Sequence, residues 1–259
     1  GMDDNVSGWT GLSLSWKALA DALYAKIGKE HFKFSSKVKR IQKIDHPTPE
    51  GGFEITTADN KHYYANKVVV ATTIDAVKKI IPGASARTSA YQQIHGQPFL
   101  LVYAKFDRAS TEIMKKYVTA FTPLTGPLQK IIPMDPSKGV YMISYTDNAH
   151  ATARKVKGAL ENTRKNCEMY SKWIADALGI LPPPLNITAI RDYYWPVGTH
   201  YYAPLGDDFK TRSEFIRKAQ NPMKGMVIVG EMVSRHQGWV EGALESVDKV
   251  ITRDWANTV

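Results

Sequence analysis

Met226-Val227-Ile228-Val229, then Gly230-Glu231, then Gly238-Trp239-Val240-Glu241-Gly242-Ala243-Leu244-Glu245-Ser246 stand near the end of the chain, and their reading decides the fold. The four apolar residues have the length and branching of a buried strand, and Gly230 with Glu231 ends it. A short loop follows, and the spacing predicts a helix from about Gly238 onward. The first turn of that helix is nearly bare of bulk. Helix N-termini expose unpaired N–H groups and the positive end of the peptide dipole. Small residues at such a place let an electron-rich ligand edge approach the backbone.

Working back from this unit, Lys67-Val68-Val69-Val70-Ala71-Thr72 is a second continuous apolar run and reads as a strand buried on both faces. Leu12 to Ile27 reads as an amphipathic helix, with Trp16, Leu19, Ala20, Leu23 and Ile27 at three- and four-residue steps and Gly28 as the stop. Lys37 to Ile44 alternates as a half-buried strand does. A turn at Pro47–Gly52 and a second strand at Phe53–Thr57 follow, with Tyr63-Tyr64 opening another hairpin arm. In the middle, Phe99–Phe106, Lys130–Pro133 and Val140–Tyr145 read as strands, and Lys155–Leu178 as one long helix before Pro182-Pro183-Pro184. Ile187–Tyr194 reads as a strand running into Trp195-Pro196-Val197-Gly198-Thr199-His200-Tyr201-Tyr202, and Phe209–Gly225 as a polar connector.

Composition narrows the classes. At 259 residues with 43% hydrophobic content, the chain suits one large domain or two joined lobes. No apolar run approaches the roughly 18–20 residues that span a bilayer, and no signal-peptide core opens the chain, so a soluble, cytoplasmic protein without a membrane partner is expected. Gly1 before Met2 reads as a tag remnant. One cysteine, Cys167, excludes an internal disulfide, and its helical setting points to an inert, buried or half-buried thiol. The formal charge of +9 could attract nucleic acid, an anionic cofactor or an acidic partner chain. The basic residues are scattered through Lys37-Val38-Lys39-Arg40, Lys78-Lys79, Lys115-Lys116 and Arg154–Lys157, which favours solvated faces over a nucleic-acid stripe. His62, His95, His150, His200 and His236 lack ligand spacing, so no metal is expected, and no Gly-x-Ser-x-Gly elbow is present.

The order of these segments resembles the flavin-containing amine oxidase family, of the monoamine and polyamine oxidase type. Four segments carry the likeness: the Leu12–Ile27 helix, the strand around Val38, the Tyr64–Thr72 run, and the terminal Gly230-Glu231 with Gly238-Trp239-Val240-Glu241-Gly242-Ala243. The resemblance implies a mixed α/β (α+β) fold. A partial FAD-binding lobe would take residues 1–75 and 215–259, and a mixed-sheet substrate-binding lobe residues 76–214. FAD is the implied cofactor, with Val38, Gly230, Glu231, Gly238, Trp239 and Val240 as its implied contacts. The implied substrate is a small amine, guided by two aromatic side chains. Trp239 would be one of them; Trp195, His200, Tyr201 and Tyr202 compete for the other. The implied chemistry is hydride transfer from the carbon of a C–N bond to the flavin, which oxygen then reoxidises. Stacked rings also suit a protonated amine; the plainer alternative is that Tyr193, Tyr194, Trp195, Tyr201 and Tyr202 form a hydrophobic seam.

Two departures qualify the likeness. The family opens with Gly-x-Gly-x-x-Gly, whose helix N-terminus holds the pyrophosphate. No such run occurs here, and Gly8 with Gly11, or Gly51 with Gly52, lacks the context. Tight FAD binding by this chain alone is therefore not expected, and a second chain carrying the nucleotide-binding half, or a homodimer, is the expected partner. The family also places a lysine near the flavin, where this chain has Pro98, Phe99 or Leu100, with Lys105 several residues late. The catalytic residue is thus left open. A half-enzyme, inactive alone, stands beside a non-catalytic binding or scaffold module and a basic anionic-surface binder as the function classes to separate.

Overall fold

The computed structural model describes residues 15–48, 51–182 and 184–257. Leu12 to Leu14, at the head of the expected first helix, and Pro183 lie outside them. Helix α1, Trp16–Ile27, starts at an N-cap Ser15 whose hydroxyl accepts from the Ala18 N–H, and it stops at Gly28 with φ +97°. Strands β1 (Val38–Thr48), β2 (Gly51–Thr57) and β3 (His62–Ala65) form an antiparallel sheet in that order. Strand β4 (Val68–Val70) leads to α2 (Ile74–Ile80), and β4 pairs in parallel with β10 (Met226–Ile228) from the other end of the chain. The Val229 N–H extends this pairing onto the Val70 carbonyl at 2.9 Å. Both ends of the sequence therefore meet in one two-stranded parallel unit.

The middle of the chain builds a five-stranded antiparallel sheet in the order β6-β7-β8-β5-β9. Its strands are β5 (Ile94–Phe106), β6 (Thr122–Pro123), β7 (Lys130–Asp135), β8 (Val140–Asp147) and β9 (Ile187–Tyr202). Helices α3 (Arg108–Tyr117), α4 (Asn148–Val156) and α5 (Arg164–Leu178) pack on one face. Alternation along β5 explains the packing: Leu100, Val102, Ala104 and Phe106 are buried among Met114, Val118, Ala151, Cys167, Tyr170 and Ile174. Phe99, Leu101 and Tyr103 point to the other face and stay half-buried. A second core joins Ile41, Phe53, Val70, Ile74, Val77 and Ile228 to Phe215 and Ile216 of α6 (Arg212–Gln220). The chain closes with α7 (Val240–Val250) and α8 (Arg253–Asn257).

Three expectations need correction. Lys155–Leu178 is not one helix: α4 ends at Val156, Gly158 takes φ +64°, and the Thr163 hydroxyl caps a new helix by accepting from the Asn166 N–H. Gly158 and the capping Thr163 break a helical pattern whose apolar spacing alone looks continuous. Phe209–Gly225 is not merely a polar connector, because it contains α6, whose Phe215 is fully buried and edge-on to Tyr202 and Phe209. Arg217 and Lys218 are exposed on the outer side of that helix, whereas Arg212 lies over the Tyr202 and Phe215 rings. Lastly, β4 is not buried on both faces: Val70 is 4% exposed, whereas Val69 is 46% exposed. Cys167 sits in α5 at 7% exposure, and burial pushes its thiol pKa up, as an inert packing residue requires.

The seating of α6 is open to a direct test. Phe215→Ala removes a fully buried ring and is expected to cost about 3–5 kcal/mol in urea denaturation, whereas Arg217→Ala on the outer side stays within about 0.5 kcal/mol. Equal, small losses would mean that α6 is a loose connector after all.

Candidate functional site

Strands β4 and β10 run in parallel, and their C-terminal ends open side by side. In α/β sheets ligands bind beyond the carboxyl ends of such strands. At this edge Ala71, Thr72 and Thr73 leave β4, while Gly230 and Glu231 leave β10. Gly230 takes φ +126°, a conformation that side chains disfavour, and a Cβ added there would meet no atom within 4 Å. Its N–H is tied to the Ser246 hydroxyl of α7 at 2.8 Å, and Ser246 in turn donates to the Ala243 carbonyl at 2.6 Å. Helix α7 is thereby fixed against the strand end.

The N-terminus of α7 carries no capping side chain: its N-cap residue, Trp239, is 50% exposed and makes no such bond. Gly242 permits the close seating of this turn, since a Cβ there would overlap the His236 carbonyl oxygen and the Ser234 hydroxyl. Gly238 lies against β9, where a Cβ would come 3.7 Å from the Thr199 methyl. The first turn of α7 thus starts without a side-chain cap, and an uncapped helix start favours an electron-rich ligand edge.

One histidine joins this edge to the large sheet. His200 of β9 is 8% exposed. Its Nε2 accepts from the Ile74 N–H at the start of α2, at 3.2 Å, and its Nδ1 donates to Glu231 Oε1. An Nε2 that accepts leaves the ring proton on Nδ1, so the two contacts fix one tautomer. Glu231 Oε2 accepts from the Gly238 N–H at 2.9 Å. Each carboxylate oxygen retains a further lone pair, so Glu231 can still accept from a hydroxyl placed at the edge.

Beside α2, a cavity of about 470 Å³ is lined by Val38 and Thr73 together with Lys37, Lys39, Lys79 and the carboxylate of Asp75. Val38 therefore packs against the second core and also lines this hollow, beside the segment that leaves β4.

The helix-free face of the large sheet is aromatic. Tyr193 stacks on Trp195 at 6.1 Å and 17°, and Tyr103 meets Tyr193 edge-on at 5.8 Å. Phe99 contacts Tyr145 edge-on at 4.9 Å and Trp195 at 6.1 Å. Opposite Pro98, strand β9 bulges through Pro196, Val197 and Gly198. Gly198 lies so close to Phe99 that a Cβ would strike its side chain. The bulge sets the angle at which Trp195 leaves the strand.

The sequence-predicted residues thus fall into groups. Gly230, Glu231, Gly238, Trp239 and Val240 gather at the edge with His200, and Val38 lines the neighbouring hollow. Trp195 stands on the aromatic face with Tyr193. Of the remaining competitors, Tyr202 is turned inward: its hydroxyl donates to the Ser234 carbonyl at 2.8 Å and Arg212 lies over its ring. Tyr201 is 46% exposed and stacks on His95 at 5.2 Å. The presumed seam is split by strand alternation, with Tyr194 facing the helices and Tyr193 and Trp195 facing away. Sequence reading missed Phe99, Tyr103 and Tyr145 as members of this wall. The period-two pattern of β5 and β8 was the available signal. Among the described residues, no three His, Cys, Asp or Glu side chains gather as a metal site, and no helix is long and apolar enough to cross a membrane.

Residues 9–247 match the family described as flavin containing amine oxidoreductase, and the chain belongs to that family. No curated protein matches it. The family assignment supports an oxidoreductase and flavoprotein reading of the chain. His200→Leu would leave the Ile74 N–H and Glu231 without their partner, and a loss of about 2–4 kcal/mol in urea denaturation is expected. His200→Asn, which can still donate to Glu231, should lose visibly less. Equal losses would show that shape alone matters at this position.

Proposed function

We propose that this chain forms the substrate wall and the C-terminal flavin contacts of an amine oxidoreductase that acts on the C–N bond of a small amine. The observation that carries the reading is Glu231, held between His200 and Gly238 beside the open Gly230 and the uncapped start of α7. These residues fit one end of FAD. Gly230 admits a flat ligand edge, and the first-turn N–H groups at Val240 and Glu241 offer hydrogen bonds to electron-rich atoms. Glu231 can accept from a ribityl hydroxyl, and the hollow at Val38, where three lysines outnumber the one carboxylate of Asp75, suits the more distant, anionic part of the dinucleotide. The pyrophosphate cradle is a different matter. No Gly-x-Gly-x-x-Gly lies within these 259 residues, so that anchor comes from other sequence or from a second chain.

When bound, FAD supplies the acceptor for the hydride that leaves the carbon beside the amine nitrogen. The chain's own part is binding and orientation. Trp239, with Trp195 or the exposed Tyr201, offers ring faces that hold an amine and exclude water. Pro98, Phe99 and Leu100 occupy the stretch of β5 where the family resemblance implies a lysine, so no β5 ammonium is available there to hold a proton or a water. The lobe division at residues 1–75 with 215–259, against 76–214, belongs to this proposal; the second core draws on both stretches, with Val77, Ile81, Ile94 and Phe209 packed beside Val70, Phe215 and Ile228.

Quenching of flavin fluorescence tests the reading even at weak affinity. Adding the chain to FAD should give a saturable curve, and Glu231→Leu should weaken half-saturation by about tenfold, the worth of one charge-assisted hydrogen bond. A curve that never saturates, or one that Glu231→Leu leaves unmoved, would overturn it.

A further inference from the structure

A cavity of about 350 Å³ opens where α6, the loop that leads into α7 and the last turn of α7 meet. Ile216 and Val250, both buried, give it an apolar lining. A buried polar residue stands beside them. Gln220 is 3% exposed, and its side-chain amide donates to the Ser246 carbonyl at 3.0 Å. That bond ties α6 to α7 and gathers cations from three segments round one hollow.

The cations are Arg217 of α6, Arg235 of the loop and Lys249 of α7, and no carboxylate lines the cavity with them. Arg235 donates to the Ser213 hydroxyl, which holds its guanidinium at the first turn of α6. Lys249 pairs with Glu245, a carboxylate that His236 also contacts. Among the described residues neither Arg217 nor Arg235 has a carboxylate partner. Three cations against one carboxylate leave an excess of two positive charges at a hollow of small-molecule size.

Like charges gathered in this way repel, and an anion that neutralises them relieves the repulsion. A guanidinium fork matches the oxygens of a phosphate, and charge-assisted bonds are the strong ones at a partly wet site. A sulfonate or a carboxylate offsets only one of the two charges. A phosphate monoester carries about −1.5 to −2 near pH 7 and so offsets both. The apolar side chains of Ile216 and Val250 then receive whatever small body the phosphate is attached to.

We propose that this hollow binds a small phosphate monoester. Arg217 and Arg235 take the phosphate oxygens, Lys249 adds charge, and Ile216 with Val250 packs against the body of the ester. None of these residues belongs to the flavin or amine contacts, so the inference does not rest on the flavin reading.

Phenyl phosphate and benzenesulfonate share a ring and differ in charge, which makes them the probes. Each is titrated into the full chain while the backbone amide resonances of Arg217, Arg235 and Lys249 are followed by NMR. Phenyl phosphate should bind about tenfold tighter than benzenesulfonate, the worth of one further charge-assisted bond. Arg217→Ala, on the outer side of α6, and Arg235→Gln should each weaken phenyl phosphate about tenfold. Lys116→Gln removes the same charge from the distant α3 and should leave the affinity unchanged. Equal affinities for the two probes, or equal losses from Lys116→Gln and Arg217→Ala, would show attraction by net charge alone and overturn the proposal. Resonances that stay in place with phenyl phosphate would overturn it as well.

Discussion

His200 is the side chain on which the candidate site depends. It reaches from the last turn of β9 to two places that no other described side chain joins: the backbone that opens α2 and the carboxylate of Glu231. Both of its ring nitrogens are engaged, and a ring so engaged cannot rotate without stranding a buried donor. Glu231 in turn holds the Gly238 amide, so the loop that leads into α7 is set by the same network. Three segments far apart in sequence are thereby brought into one register: the end of the large sheet, the end of β4 and the terminal unit. The energy of each bond is modest. Their value is that they remove alternatives for where the α7 N-terminus can sit.

The large sheet divides its labour by strand alternation. On one face β5 and β8 bury aliphatic residues and Tyr141 under α3, α4 and α5, and this supplies the hydrophobic stability that an exposed wall cannot. The other face is then free to present Phe99, Tyr103, Tyr145, Tyr193 and Trp195. Half-exposed rings are tolerated because they cover one another, edge to face or offset, rather than meeting water singly. An aromatic surface is thus built as the reverse side of a core. The same logic applies to the small parallel unit, where Val227 and Val229 pack under Val250 while the strand ends stay open.

Much of this was legible in the residues. The terminal run, the four segments of the family likeness and most strands could be read because their apolar spacing is regular and their capping residues are chemically distinctive. Gly230 and Gly238 were legible as backbone that must come close to something, and both take positive φ. Three things were not. The break between α4 and α5 is a local matter of Gly158 and a Thr163 cap, which apolar periodicity averages away. The burial of Phe215 depends on Tyr202, well back along the chain, as well as on the nearby Phe209, and the apolar spacing does not announce it. The partner of His200 lies at a sequence distance of 31 for Glu231 and 126 for Ile74, so its role could not be distinguished from that of Tyr201 or Tyr202 until the fold brought them together.

The account stands or falls on whether the C-terminal edge of the β4–β10 pair receives the flavin. Mapping backbone amide shifts on the full chain as FAD is added measures this most directly, because it reports location rather than affinity. The account predicts that the largest changes fall on Gly230, Gly238, Trp239 and Val240, with a second group at Val38 and Thr73 and little change across α3 and α5. Shifts spread over the scattered surface lysines, with the terminal unit silent, would contradict it and leave the site without its cofactor.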